Sequence, residues 1–189
     1  MIKSVPNVVN VGLIGCGSMG SELARAVKRG DAGPARLVGL FDEYTLGRHA
    51  LAEELGTGEG PDPAEFDDVS DLIAHPELDL VIECASQVAV LAHAEAILSA
   101  GVSMLVMSSG ALTSGDFMRS VSSISAKTGA SIYVPSGAIG GIDTLRAARP
   151  LLESVTIVST KPPIALSGAA GFADFEDAEI TSPTVIFEG

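Results

Sequence analysis

Residues 8–20 have the sequence VVNVGLIGCGSMG, and this stretch decides the fold. Its apolar part, Val8 to Ile14, predicts a buried strand that leads directly into a turn with three glycines, Gly15 to Gly20. Apolar residues then recur at helical spacing as far as Gly30, so a helix should follow the turn. A glycine-rich turn between a strand and a helix is typical of a dinucleotide-binding βαβ unit.

The three glycines have separate physical roles in such a turn. Gly15 permits the tight turn, Gly17 lets the backbone approach a pyrophosphate, and Gly20 lets the helix pack closely on the sheet. The backbone N–H groups of Ser18 and Met19 begin the helix, where the helix dipole favours an anion. We therefore predict that these five residues bind the phosphates of a dinucleotide.

Asp42 is the candidate for recognition of the adenine ribose. It lies about 20 residues beyond Gly20, at the end of the next apolar stretch, where a carboxylate is expected to bind the ribose 2′-hydroxyl. A negative charge there should repel a 2′-phosphate. The predicted cofactor is thus NAD or NADP, with NAD favoured, and Arg48 is near enough in sequence to soften that preference.

The order of the predicted elements specifies the fold class. Strands alternate with helices from residue 8 to about residue 135, which predicts an α/β fold: a Rossmann-type doubly wound parallel sheet. Residues 1–135 should form an NAD(P)-binding Rossmann domain. Residues 136–189 should begin a second, incomplete α/β domain, with a helix over 142–152 and strands over 155–160 and 182–187.

Small residues follow two further predicted strands, at the carboxyl edge where ligands bind in open α/β sheets. These residues are predicted to contact the cofactor: Cys84, Ala85, Ser86, Ser109 and Gly110. Glu83 fits a hydrogen-bonded structural residue better than a catalytic base. Cys84 fits a small packing residue better than a nucleophile, because the sequence places no activating partner beside it.

Composition narrows the function classes. The 189 residues include 11 Lys and Arg and 24 Asp and Glu, a formal net charge of −13, which disfavours nucleic acids and anionic membrane surfaces as partners. Neither a membrane-spanning apolar segment nor a leader peptide is evident, so we expect a soluble cytoplasmic protein. The three histidines, His49, His75 and His93, have no metal-ligand spacing and are not expected to be catalytic.

Four segments together resemble the L-aspartate dehydrogenase family: VGLIGCGSMG, DLVIECAS, VMSSGAL and, most specifically, YVPSGAIGGIDTLRAA. The resemblance implies oxidative deamination of L-aspartate by NAD or NADP to iminoaspartate, which hydrolyses to oxaloacetate and ammonia or enters NAD biosynthesis. It also implies a homodimer whose second domain carries catalysis and dimer contacts, and it makes Ala138 a cofactor contact. The family's active-site histidine lies beyond the TVIFEG segment that ends at Gly189, so no catalytic residue is assigned here.

Two alternatives stay open. The chain could be a nucleotide-binding module without catalysis, because it carries the glycine turn and Asp42 but lacks the family histidine. It could also be another Rossmann dehydrogenase with a similar two-domain plan. The sugar-acting members carry Glu-Lys-Pro after the fifth strand, where this sequence has Met107-Ser108-Ser109-Gly110. Homoserine dehydrogenase and dihydrodipicolinate reductase fit the SGAIGG loop less well.

Overall fold

The computed structural model describes residues 8–57, 61–136, 142–166, 170–175 and 180–188. The strands are β1 (Val9–Ile14), β2 (Ala35–Phe41), β3 (Ala64–Phe66), β4 (Leu80–Glu83), β5 (Ser103–Val106) and β6 (Ile132–Tyr133). The helices are α1 (Ser18–Lys28), α2 (Thr45–Gly56), α3 (Val69–Ile73), α4 (Gln87–Ser99), α5 (Gly115–Thr128) and α6 (Ile142–Ala148). Short 3-10 turns cover Ser109–Thr113, Arg149–Leu151, Pro163–Ala165 and Ala170–Phe175.

The strands form one six-stranded sheet in the order β3-β2-β1-β4-β5-β6, and every neighbouring pair is parallel. This confirms the predicted Rossmann-type doubly wound α/β fold. The chain first moves outward from β1 to β3, then returns to the other side of β1 and continues to β6. Because the winding reverses between β1 and β4, a crevice opens there at the carboxyl ends of the strands.

Two apolar clusters pack on opposite faces of the sheet. Leu13 belongs to the cluster beneath α1 and α2, whereas its neighbour Ile14 belongs to the cluster that also contains residues of α3, α4 and α5. Both side chains are 1% exposed. A strand covered on both faces requires apolar residues at successive positions, which explains the nearly continuous apolar sequence of β1.

Arg48 joins α2 to the edge strand β3. Its side chain is 6% exposed and forms ion pairs with Glu65 (3.3 Å) and Asp67 (2.5 Å). One guanidinium nitrogen, Nη1, also donates to the carbonyl oxygen of Phe66 at 2.5 Å. This buried guanidinium therefore satisfies two carboxylates and one backbone acceptor where the sheet ends.

Replacing Arg48 with methionine should lower the free energy of unfolding by about 2 kcal/mol, because the change removes the side-chain donor to the Phe66 carbonyl oxygen and the buried charge that pairs with Glu65 and Asp67. Urea unfolding followed by circular dichroism measures this change. Arg29→Met is the matched control, since Arg29 is exposed and pairs only with exposed Asp31 in the described structure. We expect the control to change stability by less than about 1 kcal/mol, and equal losses in the two variants would contradict the assignment.

The chain divides into two units, Met1–Gly140 and Gly141–Gly189. In the second unit, α6 ends at Ala148 and a 3-10 turn follows over Arg149–Leu151, so the predicted helix over 142–152 is shorter than expected. Pro150 explains the change, because proline has no N–H to donate within a helix. The predicted strands over 155–160 and 182–187 are wrong, since the described backbone there pairs with no strand.

No helix within the described ranges is long and apolar enough to cross a membrane.

Candidate cofactor site

A pocket of about 430 Å³ lies at the carboxyl edge of β1, β2 and β4, where the winding of the sheet reverses. It brings together part of the predicted site, from the glycine turn, the end of β2 and the exit of β4: Gly15, Gly17, Asp42, Cys84, Ala85 and Ser86. Ser86 also begins α4, because its hydroxyl accepts a hydrogen bond from the Ala89 N–H at 3.1 Å. The first unit thus supplies every residue of this pocket.

Gly15 and Gly20 are required by packing rather than by a ligand. Gly15 has a φ of +97°, and a Cβ there would lie 2.7 Å from the Ala85 nitrogen. A Cβ on Gly20 would collide with the Gly15 carbonyl oxygen. These two positions therefore hold α1 close to the turn and hold the turn close to the exit of β4, as the sequence pattern predicts.

Gly17 is different, because a Cβ there would meet no protein atom within 4 Å although the residue lines the pocket. Its φ of −71° is one that any residue can adopt. Gly17 precedes α1, whose first residues, Ser18 and Met19, have N–H groups without acceptors inside the helix. An open cradle in front of a helix N-terminus fits the pyrophosphate of a dinucleotide.

Asp42 lines the pocket directly after β2, and two backbone groups orient its carboxylate. One oxygen, Oδ2, accepts from the Cys16 N–H at 2.5 Å, and Oδ1 accepts from the Tyr44 N–H at 2.7 Å. Each oxygen retains a lone pair that a ribose hydroxyl can use. Arg48 does not line the pocket, because its guanidinium is buried against Glu65 and Asp67. Its effect on the preference for NAD stays a prediction.

Five further predicted residues, all within the described part of the chain, do not line the pocket. Ser18, Met19 and Gly20 lie in the first turn of α1, and Ser109 and Gly110 begin the 3-10 turn after β5. A Cβ on Gly110 would meet only the end of the exposed, flexible Gln87 side chain, which can move aside. Ala138 lies outside the described residues. A cofactor contact at these positions stays a prediction.

One wall of the pocket was not predicted from the sequence. It consists of residues that flank Asp42 together with one face of α4: Phe41, Glu43, Val88, Ala89, Ala92 and His93. The ring of His93 packs edge-on against Phe41, with centroids 6.2 Å apart. Helical spacing from Ser86 would have placed this face of α4 beside the exit of β4. Small Ala89 and Ala92 leave room there for a planar group.

Cys84 lines the pocket and Cys16 lies in the glycine turn beside it, and both side chains pack against the apolar cluster beneath α1 and α2. Burial raises the pKa of the Cys16 thiol to about 12, and the nearby charge of Asp42 adds to the shift. Burial likewise raises the pKa of the Cys84 thiol to about 12, with a further contribution from Glu83. The reactive thiolate is therefore scarce at neutral pH, which supports the interpretation of Cys84 as a packing residue.

We expect both thiols to resist alkylation by iodoacetamide at pH 8 in the folded protein. Relative to an ordinary pKa of 9.0, a value of about 12 lowers the thiolate fraction roughly a thousandfold. Mass spectrometry should therefore detect rapid modification only after unfolding in urea. Because folding favours the neutral thiols, their contribution to stability is complete below pH 9 and is lost as the pH rises toward 12. Rapid modification of the folded chain would contradict this prediction.

Comparison with known proteins agrees with this geometry. A family profile described as "Homoserine dehydrogenase, NAD binding domain" matches residues 15–135. The chain is also similar to the L-aspartate dehydrogenase of Nitrosopumilus maritimus, with 35% identity over 95% of this chain and 64% of that protein. The L-aspartate dehydrogenase of Methanosarcina mazei is 34% identical over 96% of this chain and 66% of its own length. The chain thus spans just under two thirds of these relatives.

Solved structures show the same fold. The aspartate dehydrogenase of Thermotoga maritima superposes with a TM-score of 0.55 at 24% identity, over 84% of this chain and 59% of that one. The biliverdin reductase of Synechocystis, solved with biliverdin and NADP+, gives a TM-score of 0.57 at 22% identity, over 75% and 42% of the two chains. At these identities the likeness supports the fold alone.

The chain therefore belongs to the family of NAD-binding domains of the homoserine dehydrogenase type. This confirms the predicted cofactor class, NAD or NADP. Within that class, its curated relatives at 31 to 35% identity include several L-aspartate dehydrogenases, which confirms the resemblance found in the sequence.

Proposed function

We propose that this chain is the cofactor-binding part of an NAD(P)-dependent L-aspartate dehydrogenase, which oxidises L-aspartate to iminoaspartate. The observation that carries the proposal is the match of 95% or more of the chain to proteins with that name. The family profile covers only residues 15–135 and describes nucleotide binding. The proposed substrate therefore rests on the names of the L-aspartate dehydrogenase relatives. Oxaloacetate and ammonia would form when the imine hydrolyses.

Different residues of the pocket would bind different parts of the dinucleotide. The open cradle at Gly17 and the first turn of α1 would hold the pyrophosphate, and Asp42 would bind the adenine ribose. The face of α4 that carries Ala89, Ala92 and His93 would hold the adenine. The β4–β6 half of the sheet would hold the nicotinamide half, because a doubly wound fold binds one mononucleotide on each half. When bound, the nicotinamide accepts the hydride.

The site should bind NAD more tightly than NADP. Asp42 and Glu43 both line the pocket, and no Lys or Arg does so among the residues that the structure describes. A 2′-phosphate on the adenine ribose would thus meet negative charge without a compensating cation.

We further propose how the chain is organised and where it acts. Residues 1–135 would be the cofactor-binding domain, and residues 136–189 would begin the domain for catalysis and dimer contacts. The working protein would be a cytoplasmic homodimer without membrane or nucleic-acid partners, and its product would supply NAD biosynthesis. The strong negative charge of −13 supports the absence of nucleic-acid partners.

His93 should contribute to binding of the adenosine half. Replacing it with alanine should weaken AMP binding about fivefold, because the aromatic wall beside Phe41 is lost. Calorimetric titration with AMP measures this effect. His75→Ala is the matched control, since His75 packs edge-on against Phe66 at 6.3 Å but does not line the pocket. Equal AMP affinity in the His93 variant and the wild type would contradict the proposal that the adenine binds beside His93.

Titration of the purified chain with NAD, followed by addition of L-aspartate, tests the proposed function. Calorimetry measures binding, and absorbance of the reduced nicotinamide measures turnover, with L-homoserine as the comparison substrate. NAD binding without turnover is the result expected of a cofactor-binding part, and a nucleotide-binding module would give it as well. Turnover of L-aspartate alone would support the substrate and would show that a residue of this chain performs the acid/base step. Turnover of L-homoserine would identify L-homoserine, and not L-aspartate, as the substrate. Failure to bind NAD would overturn the proposal.

A further inference from the structure

Glu83 is a fully buried carboxylate that the proposed function does not use. It is the last residue of β4, it is 0% exposed, and it directly precedes the pocket residues Cys84, Ala85 and Ser86. Its own side chain does not line the pocket. Burial of a charged group without water is costly unless hydrogen bonds satisfy it, so its partners indicate its role.

Three donors surround this carboxylate. Oxygen Oε1 accepts from the Ala85 N–H and from the Ser108 hydroxyl, both at 2.8 Å, and Oε2 accepts from the Ser108 N–H at 3.0 Å. The Glu83 carbonyl oxygen also accepts from the Met107 N–H at 3.0 Å. Glu83 thus links the segment that follows β4 to the segment that follows β5.

Both of these exits lead into elements near the cofactor edge. Ala85 precedes Ser86, which begins α4, and Ser108 precedes the 3-10 turn of Ser109–Thr113. A carboxylate can accept from all three donors at once, whereas an amide presents hydrogens at one of its two positions. The loops are therefore held in one relative position by a single acceptor-only group.

We propose that Glu83 is a positioning residue for the nicotinamide half of the cofactor. It sets the position of the β5 exit, through Ser108, relative to the β4 exit, through Ala85, and it does not touch the cofactor itself. This role rests on the proposed function in one respect, namely that the β4–β6 half of the sheet would take the nicotinamide mononucleotide. The adenosine half would be held by Asp42 and the face of α4 that lines the pocket, and Ser108 does not line that pocket.

Glu83→Gln tests this role with almost no change in volume. The amide oxygen should take the Oε1 position, which accepts from two donors, so the amide nitrogen should face the Ser108 N–H at the Oε2 position. This orientation sets one donor against another at the β5 exit and leaves the Ala85 N–H with its acceptor. We expect NAD affinity to fall about tenfold while AMP affinity changes less than about twofold, both measured by calorimetry.

Glu95→Gln is the matched control, because Glu95 is an exposed glutamate of α4 whose carboxylate also accepts from a serine hydroxyl, that of Ser120. It should change neither affinity. Parallel losses of NAD and AMP binding in Glu83→Gln would indicate a general structural role and overturn the proposal, as would unchanged NAD affinity. If the wild type binds neither NAD nor AMP, the proposed function fails instead.

Ser108→Ala keeps the proposal testable if Glu83→Gln does not fold. This change removes only the hydroxyl donor and leaves both backbone N–H groups on the carboxylate. It should lower NAD affinity about threefold and leave AMP affinity unchanged. Equal effects on the two ligands, or none on NAD, would contradict the positioning role.

Discussion

Replacing Gly17 with alanine should weaken NAD binding at least about tenfold while the protein keeps its fold. The free protein has room for the new methyl group, since a Cβ at this position meets nothing within 4 Å, and the φ of −71° suits alanine. The methyl group would instead occupy the cradle in front of α1 where the pyrophosphate is expected to lie. Loss of close backbone contacts to a charged group accounts for the size of the effect.

Calorimetry with NAD and a thermal melt separate binding from stability in this variant. Gly56→Ala is the matched control, because Gly56 lies at the end of α2, outside the pocket, and its Cβ would make only ordinary contacts of 3.6 Å with Asp62. The control should bind NAD normally. Gly20→Ala should behave in the opposite way from Gly17→Ala and destabilise the fold, since its Cβ would collide with the Gly15 carbonyl. Normal NAD binding by Gly17→Ala would contradict the location of the pyrophosphate.

Asp42→Asn should shift the preference between cofactors toward NADP by about tenfold or more. The wild-type carboxylate would lie close to a 2′-phosphate, and at an effective dielectric constant of about 20 two charges separated by some 5 Å repel by about 3 kcal/mol. Removing the charge removes most of this repulsion from NADP. NAD affinity should also fall, because an amide accepts only one of the two N–H bonds that Cys16 and Tyr44 donate to Asp42.

The ratio of the two dissociation constants is the measurement, since it cancels a general loss of binding. Asp31→Asn serves as the control, because Asp31 is an exposed acid paired with Arg29 outside the pocket. The control removes the same charge from the protein and should leave the ratio unchanged. An unchanged ratio in Asp42→Asn would show that this carboxylate does not lie beside the 2′ position.

The cofactor turn and the class of fold could be predicted because their signals are local. The sequence VGLIGCGSMG contains the strand, the turn and the start of the helix within ten residues, and periodicity alone distinguishes them. The predicted strands over 155–160 and 182–187 rested on the same kind of signal and are wrong. Alternation of apolar residues gives a segment the capacity to form a strand, but the strand exists only where a neighbour pairs with its backbone.

The sequence by itself determined the glycine turn, the position of Asp42 after β2 and the alternation that produces a parallel sheet, because backbone conformation and periodicity act over a few residues. The tertiary structure alone decided which side chains meet. It placed His93 beside Phe41, 52 positions earlier in the chain, and directed Arg48 to β3. It also joined Glu83 to Ser108 across 25 residues. Such partners depend on strand order and on the packing of helices, and no local pattern encodes them.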